Sequence, residues 1–307
     1  MSIMVATSTT LSARPAVDLR LALSLAAVYV IWSSTYLVMK LAVVEMPPLL
    51  MAGVRFVAAG FVMLVIAMRR GVAFPKARDW LRVLPIGALL FLGGNGFVSI
   101  AQQSLASGGA AVVCAMMPIW VGVFGVITGE KPSKREWISL GIGFLGILVL
   151  MGGPSLAGET HHIVLIVFAP VCWALGSVMA RRLPASVGGD PFMLPAMEML
   201  TGGAVLAFVG AVRGERMPLD ASVNAWAALA YLTVFGSLVA FTAYNWLLRN
   251  ARPTVATSYA YVNPVLAVLL GAVLTGEPLG ITTVIANILI VVAVMLALRR
   301  TKPKLAR

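Results

Sequence analysis

Apolar residues fill most of this chain in long runs, interrupted at short intervals by proline, glycine or charge. Ten runs can be marked, near 21–43, 48–68, 82–103, 108–128, 136–152, 162–180, 191–212, 225–248, 253–275 and 281–298. Each is close to the roughly 20 residues that carry a helix across a bilayer. The breaks between them, among them EMPP, GEKPSKRE and RNARP, are rich in turn residues and charge. The pattern predicts an all-α integral membrane protein of ten transmembrane helices, with a lipid bilayer as its solvent.

Composition supports that solvent. Of 307 residues, 60% are hydrophobic and 11% charged, whereas soluble domains carry about 25% charged residues. The net charge of +12 would also suit nucleic acid, so the placement of the basic residues decides. With the amino terminus inside, nineteen of the 23 lysines and arginines fall on inner connections and tails, from Arg14 and Arg20 to Lys304 and Arg307. The outer connections keep Lys40, Arg213 and Arg216, and Arg55 lies within the second helix. Basic residues gather on the cytoplasmic side of membrane proteins, so both termini are expected there and no nucleic-acid partner is implied. Cys114 and Cys172 lie in apolar runs without CxxC spacing and read as small buried hydrophobes.

The chain is also duplicated. CAMMPIWVGVFGVITGEKP (Cys114–Pro132) and SYAYVNPVLAVLLGAVLTGEPL (Ser258–Leu279) superpose with one single-residue gap, aligning Pro118 with Pro264 and Thr128-Gly129-Glu130 with Thr275-Gly276-Glu277. IWSSTYLVMK matches CWALGSVMAR, with Trp32 opposite Trp173 and Lys40 opposite Arg181. PPLLMAGVRFVAAG matches DPFMLPAMEMLTGG, with Arg55 opposite Glu198, and Trp80 matches Trp226. The expected layout is a tail at 1–20, one five-helix repeat at 21–152, a second at 162–298 and a basic tail at 299–307. Five is odd, so the second copy enters the membrane upside down, and inverted repeats bind substrate between the copies near the midplane.

These features together resemble the EamA-type transporters of the drug/metabolite transporter superfamily. The resemblance rests on the tryptophan-led first and sixth helices, the RF of the second, the proline-to-GE pattern of the fourth and ninth, and the wording GNGFVSIAQQSLASGGAAVV. It implies a bacterial inner-membrane exporter of amino acids or similar metabolites. It also implies that the last helix of each copy stands outside a central cavity lined by the others. A homodimer is left open.

Candidate substrate contacts are the polar and aromatic residues within the runs: Trp32, Ser34, Tyr36, Asn95, Ser99, Gln102, Trp173, Ser177, Tyr244, Asn245, Tyr259 and Asn263. Hydrogen bonds between helices would account for any one of them equally well. Trp80, Trp137 and Trp226 stand at helix ends and read as interfacial belt residues. Pro118 and Pro264 would each free a carbonyl inside a helix, as kinks or as gating hinges. Arg55 and Glu198 each lie seven residues past the proline that opens their helix, Pro48 or Pro191. Inversion leaves about 10 Å of height between them, enough for an amino acid whose carboxylate meets Arg55 while Glu198 meets the amine or carries a proton. Local pairing that merely holds the bundle together is the competing account. Nothing suggests catalysis, a cofactor or a metal: His161 and His162 are adjacent and read as loop residues, and no GxxxxGK[ST] loop is present. Carriage of nucleotide sugars, or a channel-like pore, are the alternatives to amino-acid export.

Overall fold

The computed structural model describes residues 18–105, 110, 113–150, 159–266 and 281–298. The described residues form helices and no strands: α1 (Leu19–Val43), α2 (Pro48–Arg69), α3 (Ala77–Ala101), α4 (Met117–Ile127), α5 (Lys134–Leu150), α6 (Thr160–Arg181), α7 (Met193–Val212), α8 (Val223–Asn250), α9 (259–266) and α10 (Ile281–Leu298). Six of them, α1, α2, α3, α6, α7 and α8, are long and apolar enough to cross a membrane. Single turns at Ala185–Gly188 and Pro253–Ala256 precede α7 and α9.

Local chemistry sets several helix ends. Asp18 caps α1, and Asp190 Oδ1 accepts from the N–H groups of Phe192 and Met193 at 2.9 and 2.8 Å where α7 begins. Pro48 opens α2, where its missing N–H is not needed. Glu45 accepts from the Ser222 hydroxyl and N–H, both at 2.6 Å, which ties the α1–α2 loop to the start of α8 and holds the Glu45 carboxyl below its ordinary 4.5. Thr128-Gly129-Glu130 terminates α4: Gly129 has φ +88°, and the Thr128 hydroxyl donates to Phe124 O at 2.8 Å. Its counterpart, Thr275-Gly276-Glu277, lies outside the described residues.

Three expectations need correction. The fourth run contains a turn at Ala115–Met116, so Pro118 is the second residue of α4 and takes no bond from a helix interior. The ninth run is likewise broken at Thr257–Ser258, and Pro264 sits buried within α9. His161 and His162 belong to the first turn of α6, and His162 is buried with its Nδ1 2.5 Å from Ser104 Oγ. Trp137 and Trp226 stand exposed in the first turns of α5 and α8.

The packing pairs equivalent helices of the two copies. α2 lies against α7, and α5 against α10. In the first pair the close approaches are Leu50 with Gly210, Gly53 with Ala207, Val57 with Gly203 and Gly60 with Leu200, so the residue numbers add to 260 each time. The two helices therefore run antiparallel. Small residues let them touch, since a β-carbon at Gly53 would fall 2.8 Å from the Ala207 backbone nitrogen. α5 and α10 are antiparallel too: Ser139 Oγ donates to Ala293 O at 2.8 Å, while Gly146 meets Leu289 and Ile290. The remaining large contacts also exchange under the duplication, α1 packing on α8 and α6 on α3. Both partners α3 and α8 carry a widened π-helical segment, Ala88–Gly96 and Leu232–Val239, at corresponding places.

Candidate functional site

A cavity of about 760 Å³, counting the space open to solvent, lies inside the bundle and is walled by α1, α2, α3, α4, α6, α8 and α9. No residue of α5 or α10 lines it. Its walls come from the second half of α1 (Trp32, Thr35, Tyr36, Met39), the start of α2 (Arg55, Phe56) and the second half of α3 (Phe91, Gly94, Asn95, Val98). The middle of α6 (Ala169, Pro170, Trp173) and α9 (Tyr259, Ala260, Asn263) complete them, with Cys114, Met117, Gly236 and Phe241. The cavity thus occupies the end of the bundle away from the basic loops. The π-helical segments contribute Gly94, Asn95 and Gly236, and such bulges frequently mark functional places.

Arg55 is the only charged side chain among the lining residues, and it is 3% exposed. Its Nε donates to Ser237 Oγ at 2.8 Å, and its guanidinium carbon stands 4.5 Å from the Phe56 ring centre. Its Nη1 has no partner, and no described acid lies within 4 Å. Asn95 Oδ1 is likewise buried without a partner at the cavity wall. A buried donor on a cation and a buried acceptor, both unpaired, make a place where a bound polar group recovers what burial costs.

The floor is aromatic. Trp32 and Trp173, equivalent residues of the two copies, meet edge to face with centroids 5.8 Å apart. Trp32 also packs on Tyr259 at 4.7 Å and on Tyr244 at 5.1 Å, and its Nε1 donates to Gly236 O at 3.1 Å. Phe91 lies 4.2 Å from Phe56 and 5.1 Å from Phe241. Below this layer Tyr244 OH sits 2.8 Å from Ser177 Oγ and accepts from Trp173 Nε1 at 3.3 Å. Asn263, with its amide nitrogen turned toward them, donates to Tyr259 O at 3.0 Å and to Tyr29 O at 3.3 Å.

Of the candidate contacts, Trp32, Tyr36, Arg55, Asn95, Trp173, Tyr259 and Asn263 face the cavity. Others bind the bundle together. Ser34 pairs with Tyr231 OH at 2.8 Å, Ser99 donates to Met39 Sδ at 3.3 Å, and Ser177 and Tyr244 form the pair just described. Gln102 is buried with both side-chain amide atoms unpaired, while its backbone carbonyl accepts from Lys40 Nζ at 2.6 Å. Glu198, expected opposite Arg55 in one cavity, lies outside it. The register of α2 on α7 places Glu198 level with Val62, seven residues or about 10 Å from Arg55. Phe91 and Phe241 line the cavity, whereas the partner of Glu198 is Asn245, whose Nδ2 donates to Oε2 at 3.0 Å. Sequence reasoning missed Phe56, Phe91, Phe241 and Ser237. Phenylalanines in apolar runs carry no mark of facing a cavity, and Ser237 lies 182 residues from the arginine it orients.

At the end bearing the basic loops, arginines link the helix ends. Arg181 pairs with Glu130 at 3.0 Å and donates to Leu248 O and Ala251 O, and Arg182 donates to Thr128 O. These bonds join the ends of α4, α6 and α8. Nearby, Arg252 pairs with Glu136 at 3.3 Å.

Comparison with known proteins gives this architecture its family. The model of the EamA-like transporter family matches twice, over residues 20–152 and 161–299. The inner membrane transporter YedA of Escherichia coli (strain K12) is 43% identical over 274 residues, covering 89% of each chain. The transporter YvbV of Bacillus subtilis (strain 168) is 24% identical over 293 residues, covering 94% of each. A solved crystal structure shares the fold with a TM-score of 0.73 at 22% identity, over 91% of this chain and 96% of that one. With both halves matching the family and the relatives transporters throughout, the chain belongs to the EamA-like transporter family, a membrane transporter and not an enzyme.

Proposed function

We propose that this protein exports amino acids or closely related small metabolites by alternating access. In this reading ten helices form two inverted five-helix repeats, and both termini are cytoplasmic. The antiparallel packing of equivalent helices, α2 on α7 and α5 on α10, supports inversion. With Arg181 and Glu130 linking helix ends at the basic end and the substrate cavity at the other, this is read as an outward-facing arrangement.

The observation that carries the substrate class is Arg55, the one charged group among the residues lining a largely apolar and aromatic cavity, with its Nη1 unpaired. It favours a ligand with a carboxylate, held by a charge-assisted bond, over a purely cationic one. Trp32, Trp173 and Tyr259 would cover its apolar body, and Asn95, Tyr36 and Asn263 its remaining polar atoms. The test is purified protein in liposomes with a panel of labelled amino acids and organic cations. Saturable uptake of a carboxylate-bearing member supports the reading; uptake of organic cations with none of any amino acid overturns it.

A further inference from the structure

The bundle holds a second deeply buried ionisable group that the substrate cavity does not use. Glu198 is 0% exposed, on a membrane-spanning helix. One carboxyl oxygen accepts a single bond, from the neutral amide of Asn245 at 3.0 Å, and the other has no partner. No basic group of the described residues lies within 4 Å of it. A carboxylate at such depth, with neither a cation nor a full set of donors, costs several kcal/mol, whereas the neutral acid does not carry that charge penalty. The surroundings therefore fit Glu198 with a proton on it.

Access to the group comes from the basic end. Asn245 lines a crevice formed with Asp190, Leu194, Pro195, Trp246, Arg249 and Asn250. The crevice reaches to one hydrogen bond from Glu198 and shares no lining residue with the cavity. The charged and titratable groups around it are few. α8 presents Tyr244 and Arg249, the latter acting on Glu198 at a distance and bonded to Ala180 O at 3.4 Å. α2 presents Arg55 about two turns away, α3 meets the Glu198 backbone with Gly87, and Asp190 stands at the mouth of the crevice.

We propose that Glu198 is a proton-binding site that couples cytoplasmic pH to opening of the basic end. With its proton on, the carboxyl is neutral and the inner half stays packed as seen here. Opening lets water and Arg249 reach it; the O–H bond breaks, the proton passes to crevice water, and the carboxylate is stabilised by Arg249. This step gives the transport cycle a proton-dependent conformational change, and so rests on the transport reading. It is tested without any substrate, so the two can fail separately.

The test uses Val178→Cys, a buried position beside Arg181 at the basic end, in protein with Cys114 and Cys172 replaced by serine. Maleimide labelling of the purified protein in nanodiscs is followed across pH, each rate divided by that of the denatured protein to remove the thiol's own titration. The proposal expects the normalised rate to rise with pH, by up to about tenfold per unit while one proton leaves. In Glu198→Gln the rate stays low and flat. In Asn245→Leu, which deprives the carboxylate of its bond, the rise persists but moves to higher pH. A flat profile for the parent, or an unchanged rise in Glu198→Gln, overturns the proposal. If Glu198→Gln does not elute as folded protein, an Asn245→Leu profile superimposing on the parent's overturns it.

Discussion

Replacing Arg55 by Met separates a ligand anchor from a structural strut, because the two roles predict opposite signs. The methionine keeps length and apolar volume but removes a charge that has one hydrogen bond, to Ser237, and no acid partner. Ser237 is not orphaned, since its hydroxyl also donates to Leu232 O at 3.2 Å. Exchanging a poorly compensated buried ion for an apolar side chain is often neutral or stabilising by about 1–4 kcal/mol, so the variant should melt at or above the parent temperature. A hydrogen bond to a charged group contributes about 1.5–3 kcal/mol, so losing the ligand carboxylate's partner should weaken half-saturation by about 10- to 150-fold. Fluorescence-detected melting in detergent and concentration-dependent uptake in liposomes, each normalised to folded protein, read the two effects. A variant that melts several degrees early yet transports normally would make Arg55 a structural residue and refute the assignment.

Topology follows from the charge distribution and the antiparallel pairs. Reporters fused after Arg70 and Lys134 should read cytoplasmic, and those after Glu45 and Glu159 external; a cytoplasmic reading at Glu159 would undo the inversion of the second copy. Cys114 lines the cavity, so in a Cys172→Ser background a membrane-impermeant maleimide should label it from the outer face. Labelling only from the cytoplasmic face would reverse the assigned orientation of the cavity.

Much of this organisation was legible in the order of residues, because membrane-spanning length and duplication both leave periodic marks. Trp32 and Trp173 were matched by repeat and meet across the floor of the cavity. Arg55 and Glu198 were matched by the same alignment and keep the expected offset of about 10 Å, but only Arg55 lines the cavity. Equivalence in a repeat fixes depth along a helix, not whether a side chain lines the cavity. Thr128-Gly129-Glu130 was recognisable as a repeated phrase, and Gly129 makes a local helix stop, but the ion pair from Glu130 to Arg181 is a contact remote in sequence. His162 shows the opposite error. Two adjacent histidines between apolar runs look like loop residues, yet the helix begins at Thr160 and turns His162 inward against Ser104.

The central claim, carrier-type exchange of a small carboxylate-bearing substrate, is tested most directly by counterflow. Liposomes containing the protein are loaded with a high concentration of an unlabelled amino acid, and entry of a trace of the same labelled compound is followed. Alternating access predicts that loading accelerates entry and transiently raises internal label above the outside concentration, and that Arg55→Met abolishes this overshoot at low substrate. Entry that is unsaturable and indifferent to loading would mean an open pore, and would contradict the account.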